Sequence, residues 1–133
     1  MGPREFEIFA ALAWVWIRQA RGALIIEELA AVTSPGKAPA AWGQVCRAGL
    51  RYGPRIFAIT QRPAESDKTA IGNATLVHCH QLAREADERY MARELRVDPA
   101  ELGKLRPLDW IERDRRTGAH RRGRVKFARP ARA

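Results

Sequence analysis

The chain has 133 residues, a formal net charge of +9 and 46% hydrophobic residues. This length suffices for one domain with a packed core, and no apolar run reaches the roughly 18–20 residues that a membrane span requires. The first residues, MGPREFEIF, carry acids and do not resemble a secretory signal, and Cys46 and Cys79 form no disulfide framework. We therefore expect a cytoplasmic protein with reduced thiols and no membrane partner.

The spacing of apolar residues predicts helices that alternate with short strands. We expect helices over 6–20, 40–52 and 84–95, a helical turn from Ser66, a short helix from Asp98 to Leu102, and strands over 23–26, 55–60 and 75–80. Trp14 and Val15 widen the apolar stripe of the first helix, which predicts burial on more than one side. The run Ala23–Ile26 lacks alternation, which is typical of a strand covered on both faces.

The last part of the chain predicts a β-hairpin, because residues 108–114 and 122–127 flank the turn pair Thr117-Gly118. Strands that alternate with helices indicate an α/β fold. We expect a core of about three mainly parallel strands with flanking helices, to which the C-terminal hairpin is added.

Two acids, Glu27 and Glu28, directly follow the first predicted strand. Ligands of open α/β sheets bind at the carboxyl ends of the strands. One carboxylate at that edge can hold Mg²⁺, directly or through water, and the next can orient or deprotonate an attacking water. The alternative is that the two acids simply begin a solvated loop.

The stretch Pro35-Gly36-Lys37 looks like a fragment of a phosphate-binding loop, which requires the pattern GxxxxGK[ST]. Ala31 stands where the first glycine is needed, and Ala38 stands where the Mg²⁺-binding hydroxyl is needed. The only other such pair, Gly103-Lys104, is followed by Leu105. The 133 residues therefore contain no phosphate loop.

Three further residues are candidates for a phosphate site. Gln61 follows the second predicted strand, where its amide could bond a γ-phosphate or the attacking water, unless it is only a polar strand end turning at Pro63. Arg47 and Arg51 are four residues apart, hence on one face of the predicted helix. They could reach a phosphate across a subunit interface, or they are surface charges.

The stretch Val77-His78-Cys79-His80 suggests a metal site. In a strand, however, His78 and His80 share one face and Cys79 points to the other, so the three side chains cannot converge on one ion. Zn²⁺ would need further ligands, and only His120 and Cys46 remain as histidine or cysteine candidates. We interpret the cluster as strand residues that pack or hydrogen-bond locally.

The positive charge is concentrated near the C-terminus. Residues 113–133 contain nine Arg or Lys and one acid, Asp114, a balance of 9 − 1 = +8. Such a segment attracts polyanions, and the predicted nucleic-acid contacts are Arg115, Arg116, Arg121, Arg122, Arg124 and Lys126. The alternative is a solvated tail that keeps the protein soluble.

The order of these features resembles the HerA–FtsK branch of P-loop ATPases, especially its phage-type members. The resemblance rests on IIEEL, on a Trp-containing helix before Gly49-Leu50-Arg51-Tyr52-Gly53, and on AITQRPAE. It implies a partial RecA-like core that binds ATP and Mg²⁺ and acts on DNA as a ring. Residues 23–28 would form the Walker B strand, with Glu27 holding Mg²⁺ through water, Glu28 as the catalytic glutamate and Gln61 as the sensor.

The sequence also departs from the pattern of the family that it resembles. Leu50 stands where an arginine finger is usual, so Arg47 or Arg51 would have to substitute. The first strand, phosphate loop and following helix of the family would precede Phe6. We therefore expect a partial ATPase domain over 1–112 and a basic hairpin and tail over 113–133.

This arrangement predicts a C-terminal portion of an ATPase, from a bacterial host or prophage, that does not hydrolyse ATP by itself. A homo-oligomeric ring or another chain that supplies the phosphate loop would be its partner. The alternatives are a small basic nucleic-acid-binding module and a gene fragment without independent function.

Overall fold

The structure, a computed structural model, describes residues 2–19, 21–36 and 38–127. Ala20, Lys37 and residues 128–133, which include the end of the predicted basic tail, lie outside the described residues. The chain forms two compact units, Met1–Ala74 and Thr75–Ala133, which we call the N unit and the C unit. None of the helices in the described ranges is both long and apolar enough to span a membrane.

The N unit contains a parallel two-stranded sheet and the helices that pack on it. Its elements are α1 (Pro3–Ile17), β1 (Ala23–Ile26), α2 (Leu29–Val32), α3 (Ala40–Ala48), a 3₁₀ helix (Gly49–Tyr52), β2 (Arg55–Ala58) and α4 (Lys68–Asn73). The two strands pair in register from Ala23 opposite Arg55 to Ile26 opposite Ala58. The predicted strands over 23–26 and 55–60 are thus both present, and the second is shorter than expected.

The core of the N unit lies between α1, α3 and one face of the sheet. The buried positions of α1 follow helical spacing, and they pack with α3 and β1 in a cluster of Phe6, Ala10, Ala13, Ile17, Leu24, Ile26, Leu29, Trp42, Val45 and Ala70. Trp42 and Phe6 pack edge to face, with 5.6 Å between ring centroids. Aromatic pairs of this geometry stabilise a core beyond the area that they bury.

Two expectations for the helices of the N unit are wrong. The first helix ends at Ile17 and is buried on one side only, because Ile8, Leu12 and Val15 are exposed. The helix predicted over 40–52 divides into α3 and the 3₁₀ helix. At the junction, a Cβ on Gly49 would lie 2.3 Å from Ile56 Cδ1, so a larger residue there would displace the end of the Ile56 side chain.

The expectation that β1 is covered on both faces is also wrong. Leu24 and Ile26 are buried, whereas Ala23 and Ile25 face outward. Ile25 is 55% exposed and its register partner Phe57 is 46% exposed. The helices of the described N unit therefore cover one face of the sheet, and we call the other the open face (Ile25, Phe57, Ile59).

The C unit is built on an antiparallel three-stranded sheet in the order β3-β4-β5. Its elements are β3 (Leu76–His80), α5 (Glu85–Leu95), α6 (Pro99–Gly103), β4 (Asp109–Asp114) and β5 (His120–Arg124). Helix α5 lies against β3 and β4, and the buried side chains between them include Val77, Cys79, Met91, Leu95 and Ile111. Asp98 caps α6 through the amide of Ala100, at 2.8 Å, as predicted.

The predicted hairpin is confirmed, and the predicted partner of the third strand is wrong. Strands β4 and β5 pair across a turn in which the Gly118 amide donates to the Asp114 carbonyl at 2.8 Å. The strand expected over 75–80 does not join the parallel sheet, because it pairs antiparallel with β4, with His78 opposite Glu112. The chain is α/β, with two parallel and three antiparallel strands among the described residues. The functional division of the chain at 112/113 stays a prediction.

Candidate functional site

The carboxyl ends of β1 and β2 lie at the same edge of the parallel sheet. Backbone bonds continue beyond the two strands: the Ile59 amide donates to the Ile26 carbonyl at 2.8 Å, and the Leu29 amide donates to the Ile59 carbonyl at 2.9 Å. These bonds hold the turn that carries Glu27 and Glu28 beside the segment that carries Thr60. We call this arrangement the acid edge (Glu27, Glu28, Thr60, Gln61).

Glu28 has an unusual backbone conformation at this edge. Its φ of 50° and ψ of 58° place it in the left-handed region, immediately before α2. For a residue with a Cβ this conformation costs about 1–2 kcal/mol. Non-glycine residues held in this way cluster at functional sites, where the surrounding structure enforces them.

Thr60 links the Glu28 carboxylate to the segment after β2. Its hydroxyl donates to Glu28 Oε1 at 3.3 Å and accepts from the Arg62 amide at 3.1 Å. The Glu28 side chain is half-buried, whereas Glu27 and Gln61 are exposed. Thr60 belongs to the TQRP segment, and no role was predicted for it from the sequence. The structure places the Thr60 hydroxyl in hydrogen-bond contact with the glutamate.

Two polar residues that support the acid edge, Thr33 and Asp67, were also not predicted from the sequence. Thr33, one residue after α2, donates its hydroxyl to the Leu29 carbonyl at 2.7 Å and accepts from the Asp67 amide at 3.0 Å. Asp67 is fully buried, and its carboxylate caps α4 by accepting from the amides of Thr69 at 3.1 Å and Ala70 at 3.4 Å. The turn after β1 and the start of α4 are therefore tied together. An aspartate before a predicted helical turn was the signal that could have found this residue.

The two candidate arginine fingers are not part of the acid edge, and they lie in two different types of helix. Arg47 is in the last turn of α3, and Arg51 is in the following 3₁₀ helix. The guanidinium of Arg47 folds back along α3, with a nitrogen 3.0 Å from the position that a Cβ on Gly43 would occupy. Because the α-helix changes to a 3₁₀ helix between the two residues, their spacing differs from the continuous α-helix that the sequence predicted. Finger function for either residue stays a prediction.

The oxygen atoms of the acid edge fit Mg²⁺ better than a metal that prefers nitrogen or sulfur. Mg²⁺ takes one or two carboxylates together with waters and phosphate oxygens, and the edge offers Glu27 as an exposed carboxylate. No group of three or more His, Cys, Asp or Glu side chains converges as a metal site in the described ranges. A role for Glu27 in holding Mg²⁺ through water stays a prediction.

The arginines predicted to bind nucleic acid are paired with acids of the C unit. Arg115 pairs with Glu94, Arg116 with Asp114 at 3.1 Å, Arg121 with Glu112 at 2.6 Å, Arg122 with Glu101, and Arg124 with Asp109 at 3.5 Å. Lys126 is exposed beyond β5. Exposed ion pairs are weak, so a phosphate can compete with the carboxylates for these arginines. Binding of nucleic acid by these residues stays a prediction.

The histidines and the cysteine of β3 lie on opposite faces, as predicted. His78 and His80 are exposed, whereas Cys79 is buried. Burial, with a smaller contribution from Glu88, raises the pKa of Cys79 to about 12. Burial also raises the pKa of Cys46 to about 12, and Asp67 adds to this shift. Both thiols therefore stay protonated at neutral pH.

No family model matches the sequence, but both other comparisons find viral proteins. The chain is 38% identical to Protein P9 of Pseudoalteromonas phage PM2 over 82 residues, which are 62% of this chain and 38% of P9. The genome-packaging NTPase B204 of Sulfolobus turreted icosahedral virus 2, solved with ATPγS, superposes with a TM-score of 0.68 at 15% identity, over 79% of this chain and 52% of B204. The fold of this chain is therefore similar to part of the fold of B204. A structure described as the DNA-packaging ATPase B204 of Sulfolobus turreted icosahedral virus gives a TM-score of 0.77 at 13% identity, over 93% of this chain and 62% of that chain.

These matches confirm the predicted resemblance to HerA–FtsK-like viral ATPases. The chain spans between 52% and 62% of the length of these B204 structures and 38% of the length of P9. The activity, substrates and partners of the whole relatives are therefore proposals for this chain.

Proposed function

We propose that this chain supplies the acid edge of a nucleotide site in a phage-type DNA-packaging ATPase. The phosphate loop of that site would come from a segment that the 133 residues do not contain. The observation that carries the proposal is Glu28, held in a left-handed conformation at the shared end of two parallel strands and hydrogen-bonded to Thr60. The fold shared with an NTPase solved with ATPγS supports it.

Each residue of the acid edge has a proposed role. Glu28 orients or deprotonates the water that attacks the γ-phosphate. Thr60 donates a hydrogen bond to the Glu28 carboxylate and keeps the bonded oxygen in place. Glu27 would hold Mg²⁺ through water, and the metal would supply charge neutralisation on the phosphate oxygens. Gln61, exposed beside the edge, would contact the γ-phosphate.

The exposed apolar residues of the open face support the proposal that a further segment covers this sheet. Parallel sheets in α/β proteins are covered on both faces, yet Ile25, Phe57 and Ile59 are exposed here. In the described N unit the sheet has two strands, so each strand also has one unpaired edge. We propose that a strand and helix joined by the phosphate loop add to this sheet, since one such segment would cover apolar surface and bring backbone amides to the acid edge.

The proposal is tested first on the chain alone. Phosphate release with Mg-ATP is expected to stay at the background rate, because most of the recognition of the triphosphate would be absent. Glu28→Gln should then change nothing. A turnover near ~1 s⁻¹ that disappears in Glu28→Gln would contradict the dependence on another segment, and it would still support the assigned role of Glu28.

A second candidate function is binding of nucleic acid by the C unit. Residues 75–133 hold 15 Lys or Arg against nine Asp or Glu, so 15 − 9 = +6 remains after pairing. Every position of β5 is exposed, which leaves its arginines accessible to a phosphate backbone. Binding of this kind weakens steeply with salt, because each neutralised phosphate releases counterions.

A duplex DNA titration at two salt concentrations tests this second function. Replacing Arg121 and Arg122 with Gln should weaken binding and flatten the salt dependence. The control replaces Arg89 and Arg93 with Gln, which removes the same charge from the exposed side of α5. Equal affinity in both double variants would show general attraction by net charge and would contradict a binding surface on β5.

A further inference from the structure

The outer face of the C-unit sheet brings two imidazole rings together. His78 and His80 alternate with the buried Cys79 on β3, and the cross-strand partners of the two histidines are Glu112 and Trp110 of β4. The Nε2 atoms of His78 and His80 lie 3.2 Å apart. Both rings reach the surface of the sheet, so an ion could approach them from solvent.

The partners of the other ring nitrogens fix where the protons lie. His78 Nδ1 is 3.0 Å from Glu112 Oε2, and His80 Nδ1 is 3.0 Å from the backbone carbonyl of Asp109. An ionised carboxylate and a carbonyl oxygen can only accept hydrogen bonds. Both Nδ1 atoms must therefore donate, which leaves a lone pair on each Nε2 when the rings are neutral. Two lone pairs at this separation repel each other unless a proton or a metal ion lies between them.

We propose that His78 and His80 form a two-histidine site for a borderline metal ion, with Zn²⁺ as the representative. Zinc–nitrogen bonds of 2.0–2.1 Å at a tetrahedral angle place two ligand atoms about 3.3–3.4 Å apart. The Nε2–Nε2 separation of 3.2 Å matches this spacing without movement of the backbone. Imidazole ligands suit Zn²⁺, Cu²⁺ and Ni²⁺ rather than Mg²⁺, so this site is distinct from the acid edge.

The residues around the pair resemble the outer shell of metal sites. Histidine ligands of metals usually donate their second N–H to a carboxylate or a backbone carbonyl, which fixes the ring and its tautomer. Here Glu112 and the Asp109 carbonyl supply one of each. Glu112 is itself held by Arg121, at 2.6 Å on its other oxygen. Both carboxylate oxygens are thus in use, so Glu112 acts on His78 rather than as a ligand.

Packing also limits rotation of the His78 ring. Trp110 stacks on it, with 5.2 Å between ring centroids and 30° between the planes. The tryptophan can lie flat there because its cross-strand partner is Gly123, where a Cβ would be 2.6 Å from Trp110 Cζ2. A glycine in the middle of a strand weakens the strand. At this position it allows the aromatic ring to support a ligand.

Neither Cys79 nor His120 is available to complete this site, so the remaining coordination positions are left to water or to a further donor. Cys79 points to the opposite face and is buried. His120 Nε2 bonds the Leu95 carbonyl, at 2.6 Å, and is therefore occupied. A site with two protein ligands has more open positions than a catalytic zinc site, which has three protein ligands and one open position.

The test is a Zn²⁺ titration of the untagged chain, followed by competition with a chromogenic chelator. The wild type should bind one Zn²⁺ per chain, or one per two chains if a second copy completes the coordination. Glu112→Gln should weaken binding about 10–100-fold, and replacement of both His78 and His80 with Gln should weaken it further. His120→Gln, the matched control, should bind like the wild type.

Nitrogen-15 spectra of the imidazole rings provide an independent readout on the folded wild type. The metal-free spectrum should show Nδ1–H tautomers for His78 and His80, and Zn²⁺ should shift both Nε2 signals. Saturable binding that survives loss of both histidines would overturn the proposal. So would Nε2 signals that do not move with Zn²⁺, because the short contact would then be a shared proton.

Discussion

The two units differ in how much apolar surface their sheets leave exposed. The N unit has a parallel sheet with an open face that includes Ile25 and Phe57, and a second exposed apolar row on α1 that includes Ile8 and Leu12. The C unit has an antiparallel sheet whose outer face is occupied by cross-strand contacts, such as Trp110 over Gly123. Antiparallel sheets can face water on one side, whereas parallel sheets are normally covered on both.

This difference indicates where each unit acts. The parallel sheet of the N unit leaves apolar side chains exposed, and the acid edge lies at the end of the same sheet. The C unit pairs its charges internally, for example Arg121 with Glu112 and Arg124 with Asp109. We therefore expect changes on the N unit to affect assembly and nucleotide chemistry, and changes on the C unit surface to affect ion binding.

The largest expected effect on stability is in the core of the N unit. Trp42 is fully buried against Phe6, so Trp42→Ala should lower the free energy of unfolding by about 3–5 kcal/mol. Trp16→Ala, on the exposed side of α1, is the matched control and should cost far less. Urea unfolding followed by circular dichroism measures both. Equal losses would show that α1 is buried on two sides after all.

The two faces of β1 offer a sharper contrast within one strand. Leu24→Ala removes a side chain that is 9% exposed and should cost about 2–5 kcal/mol. Ile25→Ala, on the open face, should cost under about 1 kcal/mol in the isolated chain. Urea midpoints at several protein concentrations give both values. A loss for Ile25→Ala as large as that for Leu24→Ala would mean that the open face is already covered, for example by a second copy.

Loss of a helix cap should also cost more stability in the N unit than in the C unit. Asp67 caps α4 from a fully buried position, whereas Asp98 caps α6 at the surface. Asp67→Ala should cost about 1–3 kcal/mol, because buried amides lose their acceptor. Asp98→Ala should cost about 1 kcal/mol. Thermal melting of both variants checks this order, and a larger loss for Asp98→Ala would contradict the burial of Asp67.

The smallest expected effect is the pH dependence of the hairpin. The side-chain hydrogen bond from Arg116 lowers the pKa of Asp114 below its ordinary value, and the Arg116 and Thr117 amides add to the shift. A carboxyl group whose pKa is lower in the folded protein stabilises the fold at pH values above its ordinary pKa. This stabilisation is lost as the pH falls through the lowered pKa. Arg116→Gln should therefore raise the pKa of Asp114 in a carboxyl NMR titration. No change in that variant would contradict the ion pair.

Local patterns were sufficient to predict the elements that carry the site. The apolar run before Glu27 predicted β1, and Thr117-Gly118 predicted the hairpin. Whether a strand joins one sheet or another depends on non-local pairing, so nothing near His78 could show that β3 would pair with β4. For the same reason the open face was missed, because an apolar run does not show whether a helix exists to cover it.

The finer contacts of the site depend on side-chain geometry that spacing does not contain. The positions of Glu27, Glu28 and Gln61 at one edge follow from the parallel strands that the sequence predicted. The left-handed backbone of Glu28 and its bond to Thr60 do not follow from residue types. The His78–His80 contact is similar, because alternation predicts a shared face but not which nitrogens meet.

The most direct test of the central claim joins this chain to the part of B204, an NTPase solved with ATPγS, on which it does not superpose. The chimera would replace the superposing segment of B204 with this chain. If the acid edge belongs to a packaging-type ATPase, the folded chimera should release phosphate from Mg-ATP. Glu28→Gln should abolish that release while ATPγS binding persists. A folded chimera that binds ATPγS without turnover, or whose turnover is unchanged by Glu28→Gln, would contradict the account.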